Sequence, residues 1–180
     1  MESDERLRLF CALLLPPVAI DGLVAWQLRE LRAADGLRIV PRENLHVTLA
    51  FLGSTGRSHL SGVVEAVRFA AAEVEPPLLE AVRYRETKSV GMIVLADEAD
   101  RATGLAERLW DELEGRGVYE REGRKWLPHV TVARFRSRPR LSPPVPDLRD
   151  VVPSDAAVMI SRLRPGGAQY EVFETVSLGG

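Results

Sequence analysis

The sequence predicts an α+β fold in two pseudo-equivalent halves: two antiparallel sheets around a central cleft, with helices outside, all within one bilobal domain over 1–180. Three observations predict it. Residues 44–52 read NLHVTLAFL and residues 127–135 read LPHVTVARF, so two of only three histidines stand in the same setting. The two histidines are 129 − 46 = 83 residues apart. Sliding the chain on itself by that interval superposes apolar strand on strand and helical spacing on helical spacing, an internal repeat covering about 7–53 and 90–136. With six threonines in 180 residues, His-x-Thr should occur twice among three histidines in roughly 0.3% of shuffled chains, which makes chance a poor account.

The elements follow in order. An apolar run over 7–15 reads as a buried strand. Although 9–20 has the length of a signal-peptide core, its flank MESDERLR is mixed in charge and Pro16-Pro17 interrupts it. Over 17–34, Ile20, Leu23, Val24, Leu28 and Leu31 recur at helical spacing. The first motif strand follows. A second helix over 58–74 presents Leu60, Val63, Val64, Val67 and Ala71, and Pro76-Pro77 bars its continuation. The second half repeats the plan: a strand in 90–98, a helix in 100–117 with Gly115 and Gly117 as stop signals, then the second motif strand. The stretch RSRPRLSPPVPDL is expected to be an exposed loop, and two closing strands near 156–163 and 169–178 are joined by a turn at 165–168.

Composition narrows the chemistry. Net charge is −2, so contact with a polyanion would need a local basic patch. Of the 24 basic residues only Lys88 and Lys125 are lysines, and arginine's planar fork suits phosphate. Cys11 is the lone cysteine, so a disulfide framework and a thiolate metal site are both excluded, and a reducing, cytoplasmic location is expected. No run reaches the length of a membrane span.

On a strand, side chains alternate faces. His46, Thr48 and Ala50 should therefore share a face, with Val47, Leu49 and Phe51 anchored behind; His129, Thr131 and Ala133 should do the same. Two such strands related by a pseudo-twofold would converge two imidazoles and two hydroxyls on one point. Paired imidazoles suit acid–base cleavage of a phosphodiester, one taking a proton from water and the other giving one to the departing oxygen. The hydroxyls can hold non-bridging oxygens. A single His-Val-Thr on a strand is most often only a half-buried strand; two copies at matching places in a repeat favour a site. Zinc wants three or four protein ligands and neither motif contains Asp, Glu or Cys, so no metal and no cofactor is expected. His59 is expected on the surface at the start of a helix. Phe10 and Tyr170 are candidate base-stacking platforms, weighed against core roles. Arg38, Arg42, Arg124 and Lys125, just before the motif strands, are candidates for the cleft rim.

These blocks resemble the two-histidine phosphoesterase superfamily, and within it the RNA 2′,3′-cyclic phosphodiesterases, also called bacterial 2′–5′ RNA ligases. RLFCALLLP is similar to the opening strand, PRENLHVTLAFLG and WLPHVTVARF to the two motif blocks, and SRLRPGGAQYEVF to the final hairpin. The stretch YRETKSVGMIVL departs from the family pattern. The resemblance implies metal-free hydrolysis of RNA 2′,3′-cyclic phosphate ends to 2′-phosphomonoesters by a monomer, with 2′–5′ ligation as the reverse sense. It implies His46 as proton donor, His129 as proton acceptor, Thr48 and Thr131 on phosphate oxygens, and Arg134 as a phosphate contact. Strict alternation, however, turns Arg134 away from the cleft; either a bulge re-aims it or its long side chain reaches around the strand end. Small cyclic nucleotide phosphates, 2′–5′ oligonucleotides, and an RNA-end binding module without turnover are the alternatives.

Overall fold

In the computed structural model, which describes residues 4–32 and 34–179, eight strands and three helices alternate along the chain. Strand β1 (Arg6–Leu14) leads to α1 (Pro17–Glu30), short β2 (Leu37–Ile39) and motif strand β3 (Val47–Gly56). Helix α2 (Leu60–Ala71) and β4 (Leu79–Glu86) connect the halves. Then come β5 (Val90–Asp97), α3 (Arg101–Gly115), motif strand β6 (His129–Phe135), β7 (Asp155–Arg164) and β8 (Gly167–Ser177). The expected helix over 17–34 ends at Glu30, and its position 33 lies outside the described residues, as do 1–3 and 180 of the expected domain.

The two expected sheets are two halves of one antiparallel sheet, in the order β4-β5-β6-β3-β1-β7-β8 with β2 also on β6. Strands β3 and β6 meet at a narrow seam, the pair Val47–Val130, and β2 of the first half adds three pairs on β6, Leu37–Phe135, Arg38–Arg134 and Ile39–Ala133. Val47 and Val130 are themselves related by the 83-residue interval, so the pseudo-twofold axis passes between them. Around that axis the strand offset is not uniform. Ala12 faces Thr48 and Met92 faces Thr131, an interval of 92 − 12 = 80.

The three helices cover one face of the sheet. Leu23 and Trp26 of α1, Val63 and Val67 of α2, and Leu105 and Leu109 of α3 share one core with the inward side chains of the long strands. The predicted face of α1 is partly wrong: Leu28 is exposed, while Trp26 and Gln27 are buried. The other face carries a small cluster, Phe10, Ala12, Ala157 and Met159, and beside it the cleft.

Strands β2 and β4 are additions to the sequence reading, and the proline-rich stretch is the largely exposed loop it expects, with tertiary partners besides. Rather than hanging free, it straps the sheet edge. Leu79 and Val151 bridge, Leu148 accepts from the Ala81 amide, and the Pro144 carbonyl accepts from the Trp26 indole at 2.7 Å. The carboxylate of Glu86 receives Arg138 and the Arg140 and Leu141 amides. The strap covers an edge that would otherwise expose unpaired backbone groups.

Both motif strands are bulged just past the threonine, and this decides what faces the cleft. On β3, Ala12 pairs with Thr48 and Cys11 with Ala50, leaving Leu49 unpaired. On β6, Met92 pairs with Thr131 and Gly91 with Ala133, leaving Val132 unpaired. Each extra residue reverses the alternation beyond it. Ala50 and Ala133 therefore lie in the core, not in the cleft as expected. Phe51, expected as an anchor, turns to the cleft and is 50% exposed, and Arg134 turns with it.

A bulge carbonyl left without a donor would cost about 1–3 kcal/mol. Here each receives a side-chain donor from the helix of the opposite half, and Val132 O accepts from the Val40 amide as well, at 3.1 Å. The Gln27 amide of α1 donates to Val132 O at 2.9 Å and to Val40 O at 3.0 Å. The Trp110 indole of α3 donates to Leu49 O at 2.9 Å. Positions 27 and 110 are again 83 apart. Gln27→Leu would leave Val40 O without its side-chain donor and Val132 O with one donor fewer, and should lower stability by about 1–3 kcal/mol, read as a shift of the urea midpoint at constant slope. An unchanged midpoint would show that the bulge holds without it.

Candidate active site

A cleft of about 760 Å³ lies over the seam, and His46, Thr48, His129, Thr131 and Arg134 all line it. Extending the register of the Val47–Val130 pair puts His46 beside Thr131 and Thr48 beside His129. Both imidazoles are half-buried and held in the same way. The Nδ1–H of His46 donates to the Asn44 carbonyl at 2.8 Å, and that of His129 to the Leu127 carbonyl at 2.7 Å. A carbonyl can only accept, so Nδ1 carries the proton in each ring and Nε2 is left for the cleft. On the His46 side Nε2 meets the Thr48 hydroxyl at 2.9 Å.

The halves differ in their surroundings. The His46 ring lies 5.0 Å from Phe10 and 5.5 Å edge-on from Tyr170, and those two rings are 4.8 Å apart. Phe10 is almost fully buried and braces the imidazole; Tyr170 is half-buried and lines the cleft. Burial in this setting lowers the His46 pKa from 6.5 to about 4, with the charges of His129 and Arg134 adding to the effect against the pull of the Asn44 carbonyl.

Of the four candidate rim cations only Arg38 reaches the cleft, because β2 pairs it opposite Arg134. Arg42 pairs with Asp21 and Arg124 with Glu122 on the surface, and Lys125 is exposed elsewhere. His59 is exposed, just before α2, as expected. Sequence reasoning missed Arg8, Phe51, Asn44 and Arg164. Arg8 and Phe51 depend on the face set by β1 and by the bulge; Arg164 is carried in by the β7–β8 hairpin, whose Ala168 carbonyl is tied to the Asn44 amide at 2.9 Å. Among the described residues the cleft lining holds four arginines, 8, 38, 134 and 164, and no carboxylate, although the chain as a whole is acidic. Among the same residues no three His, Cys, Asp or Glu side chains gather as a metal site requires, and no helix is long and apolar enough to cross a membrane.

Fold and site thus define a pseudo-symmetric two-histidine protein with a basic, anion-accepting cleft. Residues 16–174 match the 2′-5′ RNA ligase superfamily, and the chain belongs to that family. It is 33% identical over 184 residues to an RNA 2′,3′-cyclic phosphodiesterase of Thermus thermophilus, across 97% of this chain and 91% of that one. The crystal structure of TT0787 of Thermus thermophilus superposes with a TM-score of 0.80 at 29% identity, covering 97% of this chain and 99% of that one. That of E. coli LigT complexed with 3′-AMP does so at 0.80 and 20%, covering 98% and 100%.

Titration of the imidazoles by NMR should place His46 well below 6.5, and Arg134→Gln, which removes one opposing charge, should move it upward. Since the unfolded chain takes up this proton near 6.5 and the folded chain only near 4, His46 should also make stability fall as pH drops through that window and level off below it. A His46 midpoint at or above 6.5 would contradict the burial argument.

Proposed function

We propose that this protein hydrolyses the 2′,3′-cyclic phosphodiester at an RNA 3′ end and releases a 2′-phosphomonoester. The observation that carries the reading is the matched pair of imidazoles. Each is locked at Nδ1 and turns Nε2 to the cleft, that of His46 on the Thr48 hydroxyl, and together with two threonines and Arg134 they line one basic cleft. The named activity of the Thermus relative supports the substrate class, and the complex of E. coli LigT with 3′-AMP supports a nucleotide as ligand.

In-line displacement needs base and acid on opposite sides of phosphorus. The aromatic side chains of the cleft, Phe10, Phe51 and Tyr170, all come from β1, β3 and β8, the His46 half. Ribose and base belong on that side, so the leaving oxygen lies by His46. His129 Nε2 takes a proton from water, the water oxygen bonds to phosphorus, the P–O3′ bond breaks, and His46 passes its Nε2 proton to O3′. The Thr48 and Thr131 hydroxyls donate to non-bridging oxygens and Arg134 balances their charge. Solvent then returns a proton to His46 and removes one from His129. In the empty site His46 is neutral near pH 7, so its proton is taken up as the anionic phosphate arrives. The cleft wall is complete within one chain, which suits a monomer. Cys11 is buried, with its thiol pushed up to about 12 and so kept inert, which suits a reducing cytoplasm.

In EDTA-containing buffer, His46→Ala and His129→Ala should each lower kcat on a 2′,3′-cyclic-phosphate-ended RNA by at least ~10²-fold; retention of full activity in either would refute the assignment. The His46 limb should appear at higher pH in kcat than in kcat/KM, because bound phosphate favours the imidazolium. Phosphorus NMR should identify the product as the 2′-phosphate; a 3′-phosphate would mean that the substrate lies reversed in the cleft.

A further inference from the structure

His46 and His129 are bracketed alike, but only one bracket is tied to a third part of the chain. Asn44 and Leu127 stand 127 − 44 = 83 residues apart, and each gives its backbone carbonyl to an imidazole Nδ1–H, at 2.8 Å and 2.7 Å. A leucine suffices at His129, so the bracket itself needs no polar side chain. At position 44 the side chain is an amide, and its Nδ2 donates to the Ala168 carbonyl at the tip of the β7–β8 hairpin, 2.9 Å away. Among the described residues its Oδ1 is buried without a partner. A leucine at 44 would carry no such unpaired acceptor, so what the amide contributes is its tie to the hairpin.

That hairpin has few other holds. Strand β1 pairs with β7 as far as Leu9–Ile160, and from Ser161 to Tyr170 the two arms pair with each other. Among the described residues the side-chain hydrogen bonds of this segment run within it, Arg162 to Glu171 and Arg164 to Gln169, except the one from Asn44. Seated at that point, the hairpin brings Arg164 and Tyr170 into the cleft lining, and Tyr170 turns its edge to the His46 ring at 5.5 Å.

We infer that Asn44 is the positioning residue through which the β7–β8 hairpin sets the acid. Its carbonyl fixes the His46 ring and its amide seats the hairpin, so one residue makes the orientation and the water-poor setting of the acid depend on the hairpin. The base, bracketed by Leu127, is independent of it. The inference rests on the reading of His46 as the acid.

NMR titration of both imidazoles separates this role from a merely structural one. In Asn44→Ala the hairpin loses its tie, Tyr170 no longer shields the ring, and the His46 midpoint should rise toward 6.5. The charges of His129 and Arg134 that oppose His46 stay in place, and the His129 midpoint should not move. Tyr170→Leu should raise the His46 midpoint in the same way, and the double variant no further, as expected of two residues that act in series. On the cyclic-ended RNA, Asn44→Ala should lower kcat by roughly 10- to 100-fold, the effect of a catalytic group held out of line. If Asn44→Ala is too unstable to titrate, Asn44→Ser, too short to reach Ala168, should show the same pattern. A His46 midpoint or a kcat left unmoved, a shift shared with His129, or a double variant that sums the two shifts overturns the inference while the hydrolase stands. Full activity in His46→Ala overturns the reading of the acid and the inference with it.

Discussion

The site depends on two carbonyl groups that an ordinary strand would not leave over. Leu49 and Val132 are the extra residues of the two bulges, and each carbonyl accepts from a helix side chain, that of Val132 from the Val40 amide as well. Without the bulges, strict alternation would bury Arg134 and Phe51 behind the sheet and offer the substrate two alanine methyls. Without Trp110 the Leu49 carbonyl, and without Gln27 the Val40 carbonyl beside the second bulge, would lose a side-chain donor in a core of leucine and valine. The donors cross over: α1 serves β6 of the second half and α3 serves β3 of the first. Neither half completes its cleft wall alone, which makes the bilobal molecule one cooperative unit although, among the described residues, β3 and β6 share one residue pair.

Duplication supplies the frame and divergence supplies direction. At equivalent positions the chain uses different residues for related tasks: Gln27 and Trp110 both donate to a bulge, whereas Phe51 and Arg134 offer a ring and a charge. A strictly symmetric cleft would bind a phosphodiester in two orientations of equal energy, and half of the bound molecules would present water to the wrong imidazole. Aromatic side chains confined to one half and the second-motif arginine in the other remove that degeneracy. The residues that break the symmetry therefore contribute to rate through orientation even where they touch no reacting atom.

Much of this is legible in the sequence because it is periodic. The strand–helix–strand repeat, the facing histidines and the two-residue step from His46 to Thr48 all follow from periods of 3.6 and 2. What is not legible is where the period breaks. A bulge adds one residue without a composition signature, so strict alternation puts Ala50 and Phe51 on each other's faces, and Arg134 poses a contradiction that only the register of β5 on β6 resolves. Leu28 reads as core because hydropathy alone cannot weigh it against Gln27, whose amide is needed at a specific carbonyl. The prolines of 136–148 signal a loop correctly, but a loop's partners are tertiary: Glu86, Trp26 and Leu79 lie far along the chain. Arg42 and Arg124 look like rim cations in sequence and are engaged in surface ion pairs instead.

The asymmetry extends to the proton. Phe10 and Tyr170 press on the His46 ring, and its proton affinity is depressed because a buried cation loses hydration while the neighbouring His129 and Arg134 oppose it. An acid that is uncharged in the empty site looks unsuited to its role only if the site is considered without substrate. A phosphodiester brings a negative charge into the same water-poor space, where its attraction for an imidazolium is several times what bulk water would allow. Burial that opposes protonation in the free protein thus strengthens the ion pair once phosphate is present, and Arg134 changes from a competitor of His46 into a second partner of the same anion. Under the proposed reaction the acid is charged by its own substrate. The depressed pKa then acts as a form of selectivity, because a ligand without negative charge at the seam leaves His46 with no proton to give.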